Sequence, residues 1–326
     1  MIITRTPFRI SLGGGGTDLP SFYERFGGFV ISAAISKHVY VTINRTFKPG
    51  YLLKYAEMEL AATCDEIRHP LIREAVRLLD LDPPVEIVSI ADVPAGTGLG
   101  SSGAFTVGLM HAIRAYQHRS ASVETLAQQA AELEGVRLGD PVGKQDHYIA
   151  AYGGIICQDY HPDGTVTITP LKLADDTLGE LADSLLLFFT GTSRNAVDML
   201  ADQKARSERG DEAMLKNLEF IKSVGYETRR VLEAGDAATL GRLMHEHWLR
   251  KRSRSTGMSS DRINELYEFG LAHGAVGGKL VGAGGGGFLM FYANDARRLR
   301  RAMAEQGLWE MRFAFDFEGS IVLCRS

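Results

Sequence analysis

Apolar and polar positions alternate along three early runs, Ile2 to Leu12, Phe29 to Ile35 and Val39 to Ile43, with the two-residue period of strands. The last two are expected to pair with each other. A further apolar run, Val85 to Val93, predicts another strand. The period then becomes helical, with Phe105, Leu109, Ala112, Ile113 and Tyr116 on one face. It stays helical behind Ser122, a natural cap, where Leu126, Ala130 and Leu133 share a side and Glu134 lies near the end. Pro70 suits the first position of a helix running to about Leu79. Gly153 to Cys157 and Thr165 to Ile168 predict a hairpin turning through Asp163-Gly164.

A composition change near Leu171 to Leu181 marks the expected domain boundary, giving parts 1–175 and 176–326. The second part opens with a strand, Leu185 to Thr190. Helical patterns follow, including Leu240, Leu243, Met244, His247 and Trp248 behind an Asp236 cap. Strands are expected around Lys279-Leu280-Val281 and Phe288 to Tyr292, then a helix from about Asp295 to before Gly307. Met311 to Phe317 and Ser320 to Cys324 read as two closing strands.

Composition narrows the picture. At 326 residues, 45% apolar and 23% charged, the chain has the make-up of an ordinary two-domain globular protein. A net charge of -4 gives no reason to expect nucleic acid as a partner. The longest apolar runs, such as Leu185 to Phe189, are too short to cross a bilayer, and strand-like residues begin at Ile2 rather than a targeting segment. Cys64, Cys157 and Cys324 form neither a disulfide framework nor a metal pair, so a cytoplasmic protein is expected. The oligomeric state cannot be read from the sequence. Glycine is the outlier, 36 residues or about 11% against a usual ~7%, gathered at 13–16, 94–103 and 277–287.

The second cluster carries the chemistry. Pro94-Ala95-Gly96-Thr97-Gly98-Leu99-Gly100-Ser101-Ser102-Gly103-Ala104 sits between a strand and a helix. Its glycines let the backbone approach a ligand, and its amides with those of the helix start can converge on an anion. Ser101 and Ser102 are natural caps, or could face a metal-bound phosphate. The stretch predicts a phosphate cradle, but neither a Walker A loop nor a dinucleotide fingerprint. Elsewhere, His245-Glu246-His247 lacks the spacing of a metal pair, Arg250, Lys251, Arg252 and Arg254 read as a solvated helix end, and Trp248 as core.

The cradle resembles the Pro-X-X-X-Gly-Leu-Gly-Ser-Ser-X-Ala signature of the GHMP kinases. Two further stretches are similar to that superfamily's other motifs. Pro7-Phe8-Arg9 precedes the loop Gly13 to Gly16 and Thr17-Asp18, and Lys279 leads into Gly282-Ala283-Gly284-Gly285-Gly286-Gly287. Galactokinases carry Gly-Glu-His-Thr-Asp where this chain has Gly14-Gly15-Gly16-Thr17-Asp18, so two side chains are missing from the sugar site. The resemblance covers nearly the whole chain. It implies an α+β GHMP kinase fold, with a ribosomal protein S5 domain 2-like N-terminal domain and a ferredoxin-like C-terminal domain.

By that resemblance Pro94, Gly96, Thr97, Gly98, Leu99, Gly100, Ser101 and Ser102 bind ATP, and Ser102 and Glu134 hold Mg²⁺. Asp146, in Gly143-Lys144-Gln145-Asp146, is the implied general base, and Arg9 stabilises the moving phosphoryl group. Gly15, Gly16, Thr17, Asp18 and Gly285 fall in the implied substrate site. Thr190-Gly191-Thr192-Ser193-Arg194, His247-Trp248-Leu249-Arg250-Lys251-Arg252 and the sequence around Asp146 resemble the heptose 7-phosphate kinase branch. This implies phosphoryl transfer to the anomeric hydroxyl of a small phosphosugar, whose second phosphate needs fixed cations. Arg194 and at least one of Lys251 and Arg252 are expected to supply them. The alternatives are a kinase of an unphosphorylated sugar (L-fucose or galactose-like), a GHMP-type decarboxylase and a non-catalytic sugar sensor.

Overall fold

The computed structural model describes residues 1–191, 196–254 and 257–325, without the side chains of 196–198. Strand β1 (Ile2–Gly13) leads through α1 (Pro20–Phe26) to β2 (Gly28–Arg45), then β3 (Tyr51–Lys54), β4 (Met58–Ala61) and α2 (Pro70–Leu78). Next come β5 (Val85–Ala91), α3 (Ser101–Tyr116), α4 (Val123–Glu132), α5 (Gln145–Tyr152), β6 (Ile155–Tyr160) and β7 (Val166–Pro170). The second half has α6 (Asp175–Ser184), β8 (Leu185–Phe189), α7 (Ala196–Glu208), α8 (Glu212–Glu233), α9 (Ala237–Arg252) and α10 (Asp261–Ala272). It closes with β9 (Ala275–Leu280), β10 (Phe288–Ala293), α11 (Ala296–Glu305), β11 (Trp309–Glu310) and β12 (Ile321–Arg325).

Eight strands form one sheet in the order β12-β1-β2-β5-β3-β4, with β6 on β2 and β7 on β6. Every pairing in it is antiparallel except β3 with β5. A second antiparallel sheet runs β11-β8-β10-β9. Helix α6 links the last hairpin of the first sheet to the first strand of the second, and β12 returns to the first sheet. Among the described residues, no helix is long and apolar enough to cross a membrane.

Two expectations are corrected. Phe29 to Ile35 and Val39 to Ile43 do not pair with each other. They are parts of the single strand β2, and both pair with β1 across a register shift at Pro7/Phe8. The polar break at 36–38 is absorbed because the Ser36 N–H donates to the Ala314 carbonyl (2.8 Å) and the His38 N–H to Asp92 Oδ2 (2.8 Å). Of the two closing strands only β12 is extended. Residues 311–317 form no strand, and they meet the first sheet through an isolated bridge, Phe315 to Ile35, with backbone hydrogen bonds at Ala314 and Asp316 on either side of it.

The first half of β2 is buried on both faces, and contacts α3, α5 and α8. Its second half alternates buried Val39, Val41 and Ile43 with partly exposed Tyr40 and Thr42. Helix α3 is buried nearly all round, with Val107, Leu109, Met110, Ala112 and Ile113 all at 0% exposure. Helix and strand are tied at Thr4, whose hydroxyl donates to the Gly108 carbonyl at 2.9 Å. The start of α3, where the glycine-rich loop enters it, is therefore anchored by core packing rather than by the loop itself.

Candidate active site

A cavity of about 950 Å³ brings residues of both halves together, with Arg9, Asp18, Asp146 and the 94–103 loop facing Gln203, Lys251, Arg254 and Lys279. Gly96, Gly98 and Gly100 all have positive φ (77°, 85° and 75°), a backbone that other residues adopt at a cost. Pro94, Gly96, Gly98, Gly100, Ser101 and Ser102 line the cavity. Thr97 and Leu99 turn inward. The Thr97 hydroxyl donates to the Pro94 carbonyl (3.0 Å), and the Leu99 carbonyl accepts from the Arg9 N–H (3.0 Å). A Cβ on Gly98 would lie 2.5 Å from the Val281 carbonyl oxygen, so the 277–287 glycine loop packs directly on the 94–103 loop.

Neither serine caps α3. Left-handed Gly100 occupies the cap position, Ser101 and Ser102 already lie within the helix, and no side chain covers its first N–H groups. Those amides and the dipole they end face the cavity. Ser102 instead donates its hydroxyl to Glu134 Oε2, and Thr106 donates to Glu134 Oε1 (2.5 Å).

Glu134 sits on a five-residue π-turn, Leu133–Arg137, that continues α4. Its carboxylate is 1% exposed, with His147 Nε2 at 3.1 Å. Burial alone would push this carboxyl up, but the His147 charge and the two hydroxyl donors outweigh it and hold the acid below its ordinary value. The same pairing raises His147 against its own burial. One carboxylate and one hydroxyl facing the loop are hard oxygen donors of the kind Mg²⁺ accepts beside nucleotide phosphates. Among the described residues no cluster of three His, Cys, Asp or Glu could hold a metal without such phosphates.

Asp146 lies in the first turn of α5, pressed so close to α3 that a Cβ on Gly103 would come within 2.8 Å of its own Cβ. Arg9 grips it with both arms of the fork, Nε to Oδ1 at 2.7 Å and Nη2 to Oδ2 at 2.9 Å. Arg9 Nη1 also donates to the Gly98 carbonyl (2.5 Å). Acid, cation and phosphate loop thus form one connected unit. Asp18 is 2% exposed and accepts from the N–H groups of Gly16 and Gln145 (3.1 Å each) and from the Gln145 amide (3.2 Å). Burial, then the Asp146 charge, raise its carboxyl above the ordinary value.

The other expected substrate residues divide. Gly15 and Gly16 line the cavity, but Thr17 is fully buried. Its hydroxyl donates to the carbonyls of Gly14 and Phe29, so it closes the loop rather than facing a ligand. Gly285 is tied through its N–H to the Met258 carbonyl (3.0 Å). Lys251 lines the cavity and donates to the carbonyls of Leu280 (3.0 Å) and Gly282. Arg252 turns away, 3.6 Å from Glu268. Arg194 lies outside the described residues.

The basic run is thus not a solvated end throughout. His247, Lys251 and Arg254 follow each other at four and three residues, the spacing of one helical face, and are 2%, 7% and 6% exposed. That spacing was the available signal for Arg254. Lys279, on strand β9, adds a fourth buried base. Burial, then neighbouring cations, push Lys251 and His247 well below their ordinary values and bring Lys279 down to about 7. Burial likewise brings Arg254 down to about 10. Gln145, Thr106, His147 and Gln203 were also missed, because their roles depend on contacts distant in sequence.

The GHMP kinases N terminal domain matches residues 70–154, and the GHMP kinases C terminal domain matches residues 228–307. The chain belongs to the GHMP kinase family, a family of phosphotransferases. It is 28% identical, over 98% of its length and 97% of the relative's, to the D-glycero-alpha-D-manno-heptose 7-phosphate kinase of Campylobacter jejuni. It is 25% identical over 92% of its length to the L-fucokinase/L-fucose-1-P guanylyltransferase of Bacteroides fragilis, of which it spans only 36%. Among solved structures, a D-glycero-D-manno-heptose 1-phosphate kinase from Bacteroides thetaiotaomicron superposes with a TM-score of 0.81 at 25% identity, covering 100% of both chains.

Proposed function

We propose that this protein transfers the γ-phosphoryl group of ATP to the anomeric hydroxyl of a heptose 7-phosphate. The observation that carries the reading is the unit made by Arg9, Asp146 and the Gly98 carbonyl, which joins an acid to the phosphate loop. The full-length similarity to the Campylobacter jejuni enzyme supports the heptose substrate, and the buried bases opposite the loop suit a substrate with a second phosphate.

Phosphoryl transfer depends on in-line positioning and on neutralising charge. The amides of the 94–103 loop and the α3 start receive the nucleotide phosphates. Tyr55, His69 and Phe105, which also line the cavity in mutual ring contact, offer an apolar seat for the base. Asp146 accepts the proton of the attacking hydroxyl on a lone pair that Arg9 leaves open, and the two-armed contact fixes its direction. Arg9 is also placed to share charge with the moving phosphoryl group. Asp18, held by Gln145, accepts a sugar hydroxyl. Ser102 and Glu134 would hold Mg²⁺, which when bound neutralises phosphate charge.

The test is ADP release against free and phosphorylated sugars. Turnover should be highest with heptose 7-phosphate. Equal or better use of free L-fucose or galactose would replace this reading with a free-sugar kinase, and no sugar-dependent ADP release would remove the enzyme.

A further inference from the structure

We propose that Arg254, held in place by Gln203 and Asn217, is the residue that recognises the substrate's non-reacting phosphate and makes the enzyme prefer a phosphorylated sugar. This rests on the heptose 7-phosphate reading and adds the residue that enforces it.

Arg254 lines the cavity and is 6% exposed. Its Nη1 donates to Gln203 Oε1 at 2.7 Å and its Nε to Asn217 Oδ1 at 3.2 Å, while Nη2 is buried with no partner among the described residues. A buried guanidinium is ordinarily matched by a carboxylate. Here both partners are neutral amides, which aim the fork but leave its charge and one amino group unspent. The arrangement around it is of the same kind. Lys251, in the last turn of α9, and Lys279 also line the cavity, and their side-chain nitrogens donate to backbone carbonyls. Asp18 is the acid whose charge reaches Arg254, and it is itself held by Gln145. Buried cations without anions are costly, and a dianionic phosphate entering from the cavity would supply the missing charge and accept from Nη2. Gln203 also donates to the Gly16 carbonyl at 2.8 Å, so the amide that aims Arg254 is fixed to the glycine loop of the sugar site.

The experiment compares kcat/KM for heptose 7-phosphate with that for the unphosphorylated heptose. The unmutated protein should favour the phosphorylated sugar. Arg254→Gln should reduce that preference on the order of tenfold to a hundredfold, mainly through KM for the phosphosugar, and Arg254→Lys should restore part of it. If Arg254→Gln does not fold, Asn217→Asp carries the test. It keeps the arginine but sets a carboxylate against Nε, and a smaller drop in preference is expected. Folded variants whose two kcat/KM values fall by the same factor would make Arg254 merely structural and overturn the inference while leaving the reading intact. An unmutated protein that does not distinguish the two sugars would overturn both.

Discussion

Arg9 meets Asp146 through hydrogen bonds of 2.7 and 2.9 Å, whereas the guanidinium of Arg254, in a residue equally buried at 6% exposure, meets only the amide oxygens of Gln203 and Asn217 among the described residues. One guanidinium is hydrogen-bonded to an anion of the protein, and the other to none among the described residues. The matched pair needs no ligand to hold its geometry, so it can orient a reacting group before substrate arrives. The unmatched cluster is stable only as far as packing and neutral acceptors allow, and its charge is available to a ligand. The two regions thus divide labour between a fixed catalytic geometry and an unfilled binding charge.

The sharpest way to break this division is Asp146→Asn. It preserves the shape of the side chain and removes the proton acceptor, so kcat should fall by roughly 10²–10⁴-fold. Nucleotide affinity by calorimetry should change little, because the loop amides are untouched. Near-normal turnover by the folded variant would take Asp146 out of the mechanism. Gly98→Ala should come next. Its φ of 85° and the 2.5 Å approach to the Val281 carbonyl leave no room for a Cβ. The variant should melt at a lower temperature and bind ATP about tenfold more weakly, an amount equivalent to ~1.4 kcal/mol. A melting curve and nucleotide Kd both unchanged would mean that the two glycine loops do not support each other.

Much of the matched region was legible in the sequence because it lies in short, ordered motifs. Gly98 and Ser102 fall within a glycine-rich stretch, and Arg9 and Asp146 fall in short motifs that resemble those of the GHMP kinases. The unmatched region was not, for a physical reason. A run of Arg and Lys at a helix end is usually solvated, and only the partner surface decides which of them faces inward. The faces of α9 and the turn that follows it divide the run, taking His247, Lys251 and Arg254 in and leaving Arg252 against Glu268. In the fold, alternating apolar residues gave the strands, but not that β2 would run unbroken from Gly28 to Arg45. The hydrogen bonds that carry it through 36–38 come from Ala314 and Asp92, far away in sequence. Of the two roles open to the serines, capping fails because Gly100 takes that position.

A subtler effect should follow at Lys279. Burial and the charge of Arg9 bring its ammonium down to about 7, against ~10.4 in an unfolded chain. Between those values the unfolded state binds more protons than the folded one, so this residue makes stability rise with pH from about 7 to ~10.4. Lys279→Met should flatten that rise in melting temperature. In the unmutated protein above pH 7, binding a phosphorylated sugar should draw a proton onto the lysine, measurable as a buffer-dependent heat. An identical pH profile in the variant, with no proton uptake, would mean that this lysine keeps its charge throughout.

The smallest effect is expected at Arg252, and it tests the division from the other side. Arg252 and Lys251 are neighbours in sequence, yet Lys251 lines the cavity and Arg252 sits 3.6 Å from Glu268, with the two side chains 33% and 60% exposed. An ion pair that open to water is worth ~0–1 kcal/mol, and salt screens it further. Arg252→Ala should therefore shift the KM for heptose 7-phosphate less than about twofold, on a scale where 1.4 kcal/mol is tenfold. Lys251→Ala leaves the Leu280 and Gly282 carbonyls without their donor and takes a charge from the cavity, so its effect should be clearly larger. If the order were reversed, the inward face of α9 would not be the one that meets the phosphosugar, and the contrast between the two arginines of the cavity would lose its functional meaning.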